Sequence, residues 1–219
     1  VEGQPLHHTD DLDVAPDGTI YFTDASSRFS QPDWKLDLIE NRPNGRFVAY
    51  DPTTGRAWEV LDGLYFANGV AISPDGTFAL VNETSRYRVR KVWLTGSRAG
   101  ESEILVDDLP AFPDGISTGT GGVYWIALAS PRSKPLDATA GMPWARHVIT
   151  RLPKWVQPAP EKTARVLGID GEGRTVAHLY DAEGRDYRVV TSVQERGGRL
   201  YVGSLVDTGW GWVERPDDG

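Results

Sequence analysis

The sequence predicts an all-β fold of the β-propeller type. A strand–turn–strand unit recurs along the chain. It returns at a spacing of 58 residues from Gly18 to Gly76 and 45 from Gly76 to Gly121. The composition, with 24 Gly, 15 Pro, eight Trp and eight Tyr, favours short strands and turns over long helices. Units of four short antiparallel strands at such periods, plus insertions, are the signature of propeller blades.

The clearest copy is Phe66-Ala67-Asn68-Gly69-Val70-Ala71-Ile72-Ser73-Pro74-Asp75-Gly76. It reads as a loop, an apolar strand and a Pro-Asp-Gly turn, with the next strand starting at Thr77. The first copy runs from His7 to Asp24, with strands Leu12–Ala15 and Thr19–Thr23 around Pro16-Asp17-Gly18. Asp10 precedes Gly18 by eight residues, as Asn68 precedes Gly76. Phe112-Pro113-Asp114-Gly115-Ile116-Ser117 opens a third copy, with a turn at 119–122 and a strand at Val123–Ile126. Val190–Val193, a turn at Arg196-Gly197-Gly198 and Leu200–Gly203 make a fourth. Outer-strand candidates are Phe47–Tyr50, Ala57–Leu61, Arg88–Leu94, Glu103–Val106 and Thr175–Leu179. About four blades can be counted, and residues 1–219 are read as a single propeller domain.

In a propeller the first strand of each blade runs along the central channel. Asp10, Asn68 and Asp114 stand just before that strand in three blades, so they are expected to converge at one end of the axis. Two carboxylates and an amide are hard oxygen donors of the kind calcium takes, and the carboxylates repel unless a cation lies between them. The alternative is three turn caps, each hydrogen-bonded locally. The fourth copy offers only Val190 or Thr191 at this place.

Two insertions interrupt the strands. Ser26–Asn44 holds a short helix near Asp33–Glu40, with Asp33 as a candidate cap. Pro131–Pro160 holds an amphipathic helix over Met142–Leu152 that Pro153 ends. Insertions of this length in compact domains are lids, binding loops or disordered segments. Glu83, Arg86 and Trp144 are candidates for the channel mouth or for packing, and His147 reads as a surface or packing residue.

A net charge of −8 argues against a nucleic-acid partner. No apolar run approaches a membrane span. The absence of cysteine excludes disulfides and leaves the compartment open. The start at Val1 suggests a removed leader or a piece of a longer protein.

Several of these stretches together resemble the strictosidine-synthase-like, adipocyte plasma-membrane-associated protein-like family. They are Asp10–Asp13, Tyr21–Ser27, Phe66–Val70, Asn82–Arg86, Phe112–Ile116 and Leu200–Leu205. This family stands within the paraoxonase and regucalcin-like gluconolactonase superfamily. The resemblance implies a six-bladed propeller whose amino-terminal blades, needed for closure, would lie before Val1. It further implies an axial calcium held by the residues matching Asp10, Asn68 and Asp114. Asp114 also matches the ligand and proposed general base of gluconolactonases. Gly115 stands where paraoxonases have a further Asn ligand. The family's glutamate ligand and the paraoxonase catalytic histidines fall before Val1, which leaves His7 and His8 without that role. Thr191 stands where strictosidine synthases carry their catalytic glutamate, which argues against amine–aldehyde condensation.

The expected function is therefore a calcium-dependent hydrolase of lactones or aryl esters, acting on a small molecule with Asp114 as the base. The other readings are a non-enzymatic propeller binding module and a strictosidine synthase-like lyase.

Overall fold

Each expected blade begins with a strand, a tight turn and a second strand, and the turn chemistry explains why. In Pro16-Asp17-Gly18 the Gly18 N–H donates to Ala15 O at 2.9 Å, and Asp17 Oδ1 accepts the Thr19 N–H at 2.9 Å. Pro74-Asp75-Gly76 repeats this, with Gly76 N to Ser73 O at 2.8 Å and Thr77 N to Asp75 Oδ1 at 3.1 Å. Both glycines hold positive φ, +89° and +69°, which side chains resist. The fourth blade turns instead on Gly197-Gly198, both at positive φ, in a two-residue hairpin.

The computed structural model describes residues 1–153, 157 and 161–216. Four antiparallel sheets follow one another along the chain. The first holds β1 (Thr9–Val14), β2 (Ile20–Asp24), β3 (Gly45–Asp51) and β4 (Arg56–Leu64). The second holds β5 (Ala67–Ile72), β6 (Phe78–Glu83), β7 (Arg88–Trp93) and β8 (Ser102–Val106). The third holds β9 (Ala111–Thr118), β10 (Tyr124–Pro131), β11 (Ala164–Ile169) and β12 (Thr175–Asp181). In the fourth are β13 (Val190–Arg196), β14 (Arg199–Ser204) and β15 (Gly211–Glu214). Strand order equals chain order in every sheet, and β1, β5, β9 and β13 lie side by side in that sequence. This is the expected all-β propeller arrangement. Strands β11 and β15 were not anticipated.

Three apolar cores fill the spaces between successive sheets. Tyr21, Phe47 and Ala49 meet Val70, Ile72 and Val81 between the first two. Leu80 and Val89 meet Ile116, Tyr124 and Ile126 in the next interface. Trp125 and Val166 meet Val190, Val193 and Leu200 in the last. Burying each such side chain contributes roughly 1.5–3 kcal/mol, so the blades hold one another rather than standing alone. On the two outermost sheets apolar groups stay exposed, among them Leu12 and Val14 of β1 and Trp210 and Trp212 near β15.

Both insertions form helices. Gln31–Asp33 is a 3-10 turn leading into α1 (Trp34–Glu40), which ends at Asn41 in the left-handed conformation. Asp33 sits at the N-cap, but its side chain makes no capping bond, contrary to expectation. The second insertion gives α2 (Lys134–Ala138), not anticipated, and α3 (Pro143–Thr150). Residues 154–156 and 158–160 of that insertion lie outside the described residues. The two insertions are locked together by the buried Arg146. Its guanidinium donates to Ile39 O at 3.1 Å at the end of α1 and to Leu136 O at 2.7 Å in α2.

Candidate axial site

Asp10, Asn68 and Asp114 lie inside their strands, not in front of them. Each inner strand carries an extra residue at the same place. Asp10–Asp11 face Thr23 alone, Asn68–Gly69 face Asn82, Asp114–Gly115 face Ala127, and Thr191–Ser192 face Gly203. These are β-bulges, which bend a strand and re-aim its side chains. A bulge breaks the two-residue alternation, so these polar residues have the pattern of a loop in the sequence.

All three residues line one cavity of about 750 Å³, together with Thr191 and His8. Asn68 is buried and hydrogen-bonds the Asp114 carboxyl, which also takes the Gly115 N–H. Burial, and then the charge of Asp10, push the Asp114 carboxyl well above the usual carboxylate range. Burial and then the Asp11 charge push Asp10 up to about 6. Asp10 lines the cavity and stays solvent-accessible, while the protein packed around it still raises its pKa. Asp11 and Asp13 spend their oxygens elsewhere. Asp11 Oδ2 accepts the Val70 N–H at 3.1 Å and Asp13 Oδ2 the Ile72 N–H at 2.8 Å, tying β1 to β5. A second cavity of about 430 Å³ shares Asp11, Gly115 and Ser192 with the first.

The walls come mainly from segments that sequence reading could not place. Trp34 and Leu38 of α1, Phe66, Phe112, and Leu136 of α2 give an apolar waist. Lys35, Arg132, Lys134 and Glu161 are the charged residues away from the floor. Of the three mouth candidates, Glu83 and Arg86 pack, and Trp144 does neither. Glu83 is buried and holds Arg88 at 2.6 Å and Arg90 at 3.0 Å. Arg86 stacks on Tyr65 at 4.2 Å, and Trp144 points to solvent. His7 is exposed and outside the cavity. His8 is buried edge-on to Phe66 with its Nδ1 unpartnered, and burial lowers its pKa. Its backbone N–H is held by Asp24 Oδ1 at 2.8 Å, and the Asp24 carboxylate pairs with the buried Arg46 at 2.5 Å.

Among the described residues, no three His, Cys, Asp or Glu side chains gather closely enough to form a metal-holding group by themselves. The donor set is two carboxylates and an amide.

Asp10 gives a pH signature. Its folded pKa, about 6, lies above the usual 3.8, so its protonated form favours folding and that contribution is lost as pH rises from about 4 through 6. In chelated buffer Asp10→Asn is therefore expected to gain stability over the parent protein as pH rises through this window. Comparing the two proteins removes the opposite contribution of His8. Thermal unfolding at pH 4, 5, 6 and 7 checks this, and a pH-independent difference contradicts it.

Residues 10–97 match the strictosidine synthase family. The chain is 35% identical over 214 residues to strictosidine synthase-like protein 10 of Arabidopsis thaliana, covering 94% of this chain and 56% of that protein. It is 34% identical over 212 residues to the adipocyte plasma membrane-associated protein of Rattus norvegicus, again 94% and 56%. The chain thus spans about half the length of the curated relatives it matches. Its fold is that of a Xanthomonas campestris gluconolactonase, with TM-score 0.60 and 17% identity, covering 92% of this chain and 56% of that one. It is equally that of a calcium-binding regucalcin from Agrobacterium tumefaciens, with TM-score 0.57 and 16% identity, covering 91% and 55%. A propeller with bulged inner strands, the chain is similar over nearly its whole length to the strictosidine synthase-like and adipocyte plasma membrane-associated proteins, and its residues 10–97 match the strictosidine synthase family.

Proposed function

We propose that this chain carries the axial site of a calcium-dependent hydrolase of lactones or aryl esters. One observation carries the reading. Three oxygen donors occupy the same bulge in three successive inner strands and line one largely apolar cavity, where the charge of Asp10 acts against that of Asp114. A calcium-binding regucalcin and a gluconolactonase among the structural neighbours agree with it.

Asp10, Asn68 and Asp114 fit a hard divalent cation, because all three offer oxygen and the like charges of Asp10 and Asp114 need a counter-charge. When bound, such an ion polarises an ester carbonyl. The chain's own groups do the rest. Asp114 takes the proton of the attacking water, the role that needs its ionised form. Asn68 fixes the Asp114 carboxyl through its hydrogen bond. Phe66, Phe112 and Leu136 receive the apolar part of the substrate and exclude bulk water. Thr191 offers no carboxylate, so a synthase-type condensation has no base at that place. Closure by further blades, six in all, belongs to this proposal.

The second reading is a non-enzymatic binding module. It draws on the lopsided donor set, with Thr191 in the fourth blade and, among the described residues, no group of three His, Cys, Asp or Glu side chains placed to hold a metal. Calcium calorimetry and turnover of aryl esters and lactones by the full-length protein, with and without chelator, separate the two. Micromolar calcium binding and turnover lost in chelator are expected. Turnover unaffected by chelator removes the metal, and no turnover with any ester leaves the module.

A further inference from the structure

The repeat that places the axial donors also places a second set of side chains, one strand further out. Opposite each bulge stands a single residue of the second strand: Thr23, Asn82 and Ala127 in the first three blades. Thr23 and Asn82 are wholly buried. The Thr23 hydroxyl accepts the Asp11 N–H of its own bulge at 3.2 Å and donates to Asn68 O of the next blade at 2.7 Å. Asn82 Nδ2 donates to Asp114 O, again in the next blade, at 2.6 Å. Thr84 adds a bond from its hydroxyl to Pro113 O at 2.7 Å. Ala127 has no donor, and the residue it would serve is Thr191.

Hydrogen-bonding side chains therefore stand where the following blade presents Asn68 or Asp114, and among the described residues none stands where it presents Thr191. A bulge leaves its extra residue outside the ladder, so the peptide planes there lack the partners that fix them elsewhere. A donor from the neighbouring blade restores one bond and sets the peptide plane, and with it the direction of the Cα–Cβ bond that carries the donor side chain. We infer that Thr23 and Asn82 are positioning residues that hold Asn68 and Asp114 from the preceding blade, so that each blade sets the site geometry of the next.

The affinity part of the test rests on the calcium reading, and the exchange part does not. Three variants of the full-length protein decide it: Thr23→Val, which keeps the shape and loses the hydroxyl; Thr23→Ser, which keeps the hydroxyl; and Asn82→Ala. Thr23→Val and Asn82→Ala are expected to lower the affinity for calcium, measured by calorimetry, by about 10–100-fold, as loss of an outer partner of a metal ligand does. Thr23→Ser is expected to keep it. Amide hydrogen exchange is expected to quicken at Asn68–Val70 in Thr23→Val and at Asp114–Ile116 in Asn82→Ala, one blade beyond each substitution. Exchange that quickens only within the substituted blade, or an affinity loss that Thr23→Ser shares, overturns the inference. A parent protein that binds no calcium overturns the proposed function and leaves the exchange pattern to decide on Thr23 and Asn82.

Discussion

Asp114→Ala is expected to abolish ester or lactone hydrolysis and to weaken calcium binding while leaving a folded protein. Two roles meet in this side chain. It is one of two carboxylates in the axial donor set and the group placed to take a proton from water. Loss of a general base alone costs about 10²–10⁴ in rate, and loss of a metal-holding oxygen adds to that. Stability is expected to move the other way. The carboxyl is held against its preference by burial and by the charge of Asp10, so its removal relieves the metal-free protein. A turn cap would behave oppositely, since its loss destabilises the fold without touching metal binding. Asn68→Ala serves as the companion. It is expected to weaken calcium binding with a smaller loss of kcat, because the amide takes no proton. Calorimetry, steady-state kinetics and thermal unfolding of the metal-free full-length proteins give the three readouts. Undiminished turnover in Asp114→Ala, with lower stability, restores the capping interpretation.

Much of this was legible in the chain because a propeller repeats itself. The Pro-Asp-Gly turns at residues 16–18 and 74–76 are read from residue type alone, and they fix the register of the strands on either side. That register carried Asp10 and Asn68 to equivalent places, the glycine-rich turn at 119–122 added Asp114, and the structure sets all three in one cavity. Their bulges were not legible. An extra residue in a strand leaves no compositional mark when it is Asp or Gly, which loops also use. Thr23 and Asn82 were equally hidden. Inside apolar strands they pass as ordinary β-compatible residues until the neighbouring blade is seen. The cavity wall lay further out of reach. Trp34, Leu38 and Leu136 come from insertions with no second copy to align, and only three-dimensional contacts such as those of Arg146 bring them together. Glu83 misled for a related reason. A lone acid next to a candidate site resembles a functional group, whereas Arg88 and Arg90 neutralise it from the neighbouring strand.

Gly69→Ala is expected to have the largest effect on folding of any single methyl added to this chain's inner strands. The backbone angle at Gly69 is ordinary, so the demand is for space. A Cβ there would stand 2.5 Å from Asp114 O, 2.5 Å from Ile116 N and 2.7 Å from Gly115 C. All three are backbone atoms of the next blade, so no rotamer change can make room. The strands β5 and β9 would have to part, stretching the Asn82–Asp114 bond and the bond from the Thr118 hydroxyl to Ile72 O at 2.8 Å. Overpacking costs about 1–3 kcal/mol, and each buried hydrogen bond left unmade about 1–3 more. Against a total stability of roughly 5–15 kcal/mol, such a loss leaves the protein largely unfolded or lowers its Tm by many degrees. Gly18→Ala supplies the contrast. Its Cβ would meet nothing within 4 Å, and the strain comes only from a φ of +89°, which costs about 1–3 kcal/mol. Soluble yield and thermal unfolding of the two full-length variants compare close approach with backbone angle directly. A Gly69→Ala protein as stable as its parent would mean that the blades can separate here at little cost, and that the Asp114 bulge is not wedged between Gly69 and Asn82.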